Sequence, residues 1–188
     1  VSLEILNRDR VVERLAENRD DLYIMSMPPK NIDLKDEPLI ANPIVVIAST
    51  SNPLAKRDRL SMAELKSQAF ILREKGSGTR MAADQHFQKM GFKPHVRLEL
   101  GSNEAVKQAV MCGMGISFMS AHACQTEIKA GLLAVLPLED MPKQIDWCVI
   151  HRRGIEPTGI VQAFKDFVLN KGSAYCECHM RPDALPVS

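Results

Sequence analysis

Between Ala69 and Leu138 the chain repeats one pattern: a short apolar run, a stretch with apolar residues at helical spacing, then a glycine. Ala69-Phe-Ile-Leu72 reads as a strand, Gly76-Ser-Gly-Thr79 turns it into a helix running to Met90, and Gly91 stops that helix in the left-handed C′ position. Val96 to Leu100, Gly115 to Ser120 and Leu132 to Leu138 read as further strands, with the intervening helices ending at Gly113 and Gly131. Strand and helix in strict alternation restrict the chain to an α/β architecture and point to parallel pairing.

The flanking segments extend the pattern. Val1 to Leu6 alternates like a half-buried strand, Asn7 is placed to cap a helix carrying Val11, Val12, Leu15 and Ala16, and Leu22 to Met27 reads as a buried strand closed by Pro28-Pro29. Pro43 to Ala48 predicts another strand, and Ser61-Met-Ala-Glu64 has the hydroxyl and carboxylate spacing of a capping box. Asp146 to His151 predicts the last strand. The apolar stripe of Ile160, Val161, Phe164, Phe167 and Val168 predicts a helix from Pro157 to Gly172. Residues 173–188 have no periodicity and read as a tail.

Composition narrows the function classes. With 24 basic and 23 acidic residues the net charge is +1, without the basic excess that sequence-independent nucleic-acid binding requires. No window approaches the roughly 18 uninterrupted apolar residues of a membrane helix. The 5 cysteines are odd in number and irregularly spaced, which favours a reducing cytoplasm over a disulfide-built secreted domain. The chain opens directly on a strand-like pattern with no leader ahead of it, and reads as N-terminally truncated.

Candidate chemistry gathers at two helix starts. In Arg73-Glu-Lys-Gly-Ser-Gly-Thr-Arg80, glycines admit a close approach to the backbone, Ser77 and Thr79 supply hydroxyls, and the first-turn amides favour an anion. Gly101-Ser-Asn-Glu104 presents similar donors after the next strand, and Ser26 and Met27 end an earlier one. Arg73, Lys75 and Arg80 would add positive charge beside the first loop. The residues alone leave a second reading open, in which Ser77, Thr79 and Ser102 only cap their own helices. No catalytic residues can be assembled, because Gly113 to Ser117 lacks the Gly-x-Ser-x-Gly of a nucleophile elbow. His86, His95, His122, His151 and His179 form no metal-ligand pair, and Cys176-x-Cys178-His179 lacks a second pair for zinc. No metal and no cofactor are expected.

In order and spacing, four segments resemble the effector-binding domain of LysR-type transcriptional regulators: Arg73 to Thr79, Leu98 to Val110 with Gly113-Met-Gly-Ile116, Leu136-Pro-Leu138, and Trp147 to Arg152. The resemblance spans Val1 to about Gly172. Together with Asp21 to Pro29, the middle segments look most like the branch that controls carbon-fixation (RuBisCO) operons. The resemblance implies a periplasmic-binding-protein-like (type 2) pair of Rossmann-like lobes. Residues 1–47 plus 148–172 would form one lobe and residues 48–147 the other, with hinges near Ala48 and Cys148 and an inducer held between the lobes. It carries effector contacts onto Ser26, Met27, Gly76, Ser77, Gly78, Thr79, Ser102 and Asn103. The family's helix-turn-helix and the first strand and helix of its effector domain have no counterpart here. DNA contact would therefore lie outside this segment, which would pair as a homodimer within a full-length tetramer, with RNA polymerase as a further partner and no membrane association.

The expected function is effector sensing by a bacterial transcriptional regulator, with a small anionic metabolite as the ligand and no enzymatic activity. An exported solute-binding protein shares the same fold class, and fold alone does not separate the two. An enzyme would need a nucleophile or an acid–base pair that the chain does not supply.

Overall fold

The computed structural model describes residues 1–172 and 174–175. Apart from Ala174 and Tyr175, the predicted tail, with its Cys176-x-Cys178-His179 cluster, lies outside these residues. Mixed α/β structure is organised in two compact units, one formed by residues 1–42 together with the described residues from Ile145 to Tyr175, the other by residues 43–144.

In the first unit, α1 (Arg8–Ala16) starts as its sequence predicts, with Asn7 Oδ1 accepting from the Arg10 amide at 3.1 Å. Strand β1 (Tyr23–Ser26) pairs antiparallel with β7 (Lys143–Arg152), aligning Tyr23 with Ile150 and Met25 with Cys148. That register sends Tyr23, Met25, Cys148 and Ile150 to one face, where Leu15 of α1 covers them and Val11 and Val12 pack alongside. Beyond α1, Arg14 grips both oxygens of Asp20 at 2.8 and 2.6 Å.

Two expectations fail in this unit. Val1 to Leu6 forms no strand and is exposed throughout, because among the described residues no ladder takes up its backbone groups. The apolar stripe of α5 (Gly159–Phe167) faces solvent, with Ile160 82% and Phe167 59% exposed, whereas Lys165 on the other side is buried against Glu37. Amphipathic spacing fixes the width of a helix's apolar face, and the ion pair of Lys165 with Glu37 sets its direction here.

Strand β2 (Leu34–Ser49) is longer than the predicted 43–48, because the polar stretch before Pro43 is also extended, with side chains alternating in burial. Both unit boundaries lie inside strands, after Asn42 in β2 and after Gln144 in β7. The larger sheet has the order β1-β7-β2-β5, with β6 also on β2, where β5 is Ser117–Ser120 and β6 is Leu133–Val135. The pairings of β1 with β7, β2 with β5 and β2 with β6 are antiparallel. The expectation of parallel pairing therefore holds only in part.

In the second unit β3 (Ala69–Arg73) lies parallel to β4 (His95–Leu100), from Ala69 opposite His95 to Arg73 opposite Leu100, with a register shift between Phe70 and Ile71. On the far side of β3, Ile71 N–H donates to the Ile116 carbonyl and Ile116 N–H to that of Ala69, both at 2.9 Å. A Cβ on Gly115 would meet the Ala69 carbonyl oxygen at 2.4 Å, so this approach requires glycine. Helices α2 (Gly78–Lys89), α3 (Asn103–Met111) and α4 (Ala121–Lys129) stop as predicted, with Gly91, Gly113 and Gly131 at φ of 58°, 73° and 69°. Val45, Ile47, Ile71, Val106, Val110 and Met119 form one apolar core of this unit. Phe87 packs edge to face against Phe70 and Phe118 nearby, with ring centres 5.3 and 5.1 Å apart. The Ser61 capping box forms, with Glu64 accepting from the Ser61 amide at 2.9 Å, although the helix it opens is a short 3-10 segment, Met62–Ser67.

Candidate functional site

Because β3 and β4 run parallel, with Arg73 opposite Leu100 at their ends, the helices that follow them both begin at the C-terminal edge of that sheet. This brings Gly76 to Thr79 and Ser102 to Asn103 together within the second unit, at the edge where α/β sheets bind ligands. Ser26 and Met27 belong to the first unit, at the end of β1.

At α2 the first helical bond runs from Met81 N–H to the Ser77 carbonyl at 3.0 Å. The amides of Gly78, Thr79 and Arg80 precede it and have no intrahelical acceptor. Ser77 is the N-cap residue, 3% exposed, yet its side chain makes no capping bond. Nor has the Thr79 hydroxyl any partner among the described residues. No acidic residue occupies the first turn of α2. This helix end keeps its donors uncommitted, contrary to the reading in which Ser77 or Thr79 serves only as a cap.

The start of α3 is partly satisfied by its own residues. Ser102 Oγ accepts from the Ala105 amide at 3.2 Å, and Glu104 lies in the first turn, paired with Lys107 at 2.9 Å. Lys107 and Gln108 hold the Glu104 carboxyl below its ordinary range. For Ser102 the capping reading is therefore realised.

The expected positive charge beside the first loop is largely neutralised. Arg73 pairs with both oxygens of Glu74 at 2.8 and 3.0 Å and donates to Asn103 Oδ1 at 2.5 Å. Arg80 donates to the Arg73 carbonyl at 2.9 Å, to Glu99 at 2.5 Å and to Asp84 at 3.0 Å, fastening α2 to the ends of both strands. Its hydrogen bond holds the Glu99 carboxyl below the usual carboxylate range. Lys75 is exposed, and its side chain has no partner among the described residues.

Sequence reasoning missed the residue that holds the Met27 segment. Arg8 Nε and Nη2 both donate to the Met27 carbonyl, at 3.1 and 2.9 Å, while Met27 takes a left-handed φ of 50° that a side chain rarely adopts. Nothing local in the sequence signals this contact, which joins residues 19 apart.

No group of three or more His, Cys, Asp or Glu able to hold a metal stands among the described residues. Buried imidazoles occur at His86 and His151, each with an unpartnered Nε2, and burial pushes the His86 pKa down. No helix among the described residues is long and apolar enough to cross a membrane.

The LysR substrate-binding domain model matches residues 1–173. The HTH-type transcriptional activator CmpR of Synechocystis is 42% identical over 89% of this chain and 55% of its own length. The RuBisCO operon transcriptional regulator of Allochromatium vinosum is 37% identical over 91% of this chain and 57% of its own length. The chain thus spans somewhat more than half the length of the curated relatives it matches, and these are transcriptional regulators rather than transport proteins. Among solved structures, the Synechocystis PCC6803 CcmR regulatory domain, in complex with 2-PG, superposes with a TM-score of 0.85 at 42% identity, covering 89% of this chain and 81% of that one. The effector-binding domain of QuiR, at 22% identity and a TM-score of 0.77, shares the fold, with coverage of 90% of this chain and 79% of that one. The chain belongs to the LysR substrate-binding domain family, and its relatives lie in the carbon-fixation branch that the sequence resembles.

Proposed function

We propose that this chain is the effector-sensing part of a cytoplasmic LysR-type transcriptional regulator and that its ligand is a small anionic metabolite seated at the start of α2. The uncommitted end of that helix carries the reading: three amides without intrahelical acceptors, the hydroxyls of Ser77 and Thr79 free of any cap, and no carboxylate in the first turn. An oxyanion satisfies all of these donors together. Asn103 and Ser102 are further contacts, Ser102 through the O–H proton that its capping role leaves free. Ser26 and Met27 complete the proposed set.

The complex of the Synechocystis relative supports a phosphorylated acid, and 2-phosphoglycolate is the specific candidate. Binding, rather than catalysis, is the proposed role. DNA recognition is assigned to a helix-turn-helix outside these residues, as the names of the HTH-type relatives suggest, and the functional assembly to a homodimer within a tetramer.

Calorimetric titration with 2-phosphoglycolate, inorganic phosphate and glycolate tests the ligand. The phosphorylated acid should bind most tightly, and Thr79→Val should weaken it about tenfold to a hundredfold, since a hydrogen bond to a charged group contributes roughly 1.5 to 3 kcal/mol. Equal affinity in wild type and variant, at equal melting temperature, would return Thr79 to the role of an ordinary helix residue.

A further inference from the structure

Arg73 ends β3, and its guanidinium is engaged on two sides. Nε and Nη2 donate to the two carboxylate oxygens of Glu74, at 2.8 and 3.0 Å, and Nη1 reaches across to Oδ1 of Asn103, the first residue of α3, at 2.5 Å. A guanidinium has only donors, so the Asn103 carboxamide must turn its oxygen toward Arg73. What remains of the amide is its NH2, which only donates. That NH2 has no partner among the described residues, and Asn103 is half-buried. An unconstrained asparagine can meet a donor or an acceptor equally well, whereas this one is committed to meeting an acceptor.

We infer that Arg73 is a positioning residue for anion recognition: it fixes the Asn103 carboxamide so that the NH2 is presented as a donor to the ligand. Its effect passes through that amide and does not come from its own positive charge. Two observations separate this from simple attraction. The charge is already paired, two oxygens to two nitrogens, with Glu74, and the Arg73 side chain is only 13% exposed. The register places Arg73 opposite Leu100, three residues before Asn103, so one side chain ties together the segments leading into both helix starts. Arg80 strengthens the tie from the other side by donating to the Arg73 carbonyl. Lysine cannot take over this role, because an ammonium lacks the planar fork that serves Glu74 and Asn103 together.

The inference rests on the reading that the anion binds at these helix starts, and a titration with 2-phosphoglycolate separates the two. Four proteins are compared: wild type, Arg73→Lys, Asn103→Ala and the double variant. Arg73→Lys keeps the charge and loses the fork, and should weaken binding about tenfold; Asn103→Ala should weaken it at least as much. The double variant should bind no more weakly than Asn103→Ala alone, because the arginine then has no amide to orient. Asn103→Asp supplies an independent arm, since the carboxylate still accepts from Arg73 but presents oxygen where the NH2 stood, and binding should fall about a hundredfold with the fold intact. In wild type the Asn103 side-chain NH2 resonances should shift on adding ligand, and in Arg73→Lys they should not. Wild-type affinity in Arg73→Lys, or fully additive losses in the double variant, would overturn the positioning role while leaving the binding site standing. Failure of wild type to bind any of the anions would remove the site itself, and the positioning role with it.

Discussion

At the start of α3 the Ser102 hydroxyl turns back onto its own helix and Glu104 occupies the first turn, whereas at the start of α2 the buried Ser77 makes no capping bond and no acid follows it. The two segments are written alike, each with glycine then serine before the first helical turn, and they stand at the ends of neighbouring parallel strands. On the reading proposed above, a helix end becomes a ligand site by leaving its own donors unsatisfied. An end that caps itself would contribute mainly through a side chain, the role proposed for Asn103 once Arg73 has oriented it.

The strongest way to break this contrast is to give α2 what α3 already has. Thr79→Glu places a carboxylate in the first turn of α2, where it satisfies the amides and favours the helix end. Binding of 2-phosphoglycolate should fall by about a hundredfold or more in calorimetry, with a melting temperature equal to or above that of wild type. Retained affinity would mean that the anion is held elsewhere.

The capping contrast predicts a smaller, opposite pattern in stability. Ser102→Ala removes a working cap and should cost about 1 kcal/mol in denaturant unfolding. Ser77→Ala removes no capping bond and should cost distinctly less, so equal losses would erase the difference between the two serines.

Much of this arrangement is legible in the sequence because it is local. Glycines at 91, 113 and 131 mark helix stops through their own backbone freedom, and Asn7 and Ser61 announce caps within three residues. What depends on distant partners is not legible. The strand predicted at Pro43 to Ala48 extends back to Leu34 through a polar stretch, and Val1 to Leu6 reads as a strand but pairs with nothing described. The α5 stripe faces outward because Lys165 finds Glu37, 128 positions away. At the site, the arginines read as free charge although partners stood nearby in sequence, Glu74 beside Arg73 and Asp84 one turn after Arg80. The link from Arg73 to Asn103 needed the parallel register to become visible.

A still smaller effect should come from pH. Arg80 lowers the Glu99 pKa, so the folded state gains stability from this carboxylate above its ordinary range near 4.5, and loses it as pH falls through that range toward the folded value. Glu99 is 41% exposed and the pair is screened, so the effect is modest. Glu99→Gln should flatten the acid limb of melting temperature against pH, and an unchanged limb would mean that Arg80 holds the α2 start through Asp84 and the Arg73 carbonyl alone.

Backbone amide resonances during titration with 2-phosphoglycolate test the central asymmetry most directly. The signals of Gly78, Thr79 and Arg80 should move furthest, as their unsatisfied N–H groups acquire an acceptor, while that of Ala105, already bonded to Ser102, should barely move. Largest shifts at Ala105 with Gly78 to Arg80 unmoved would contradict the account.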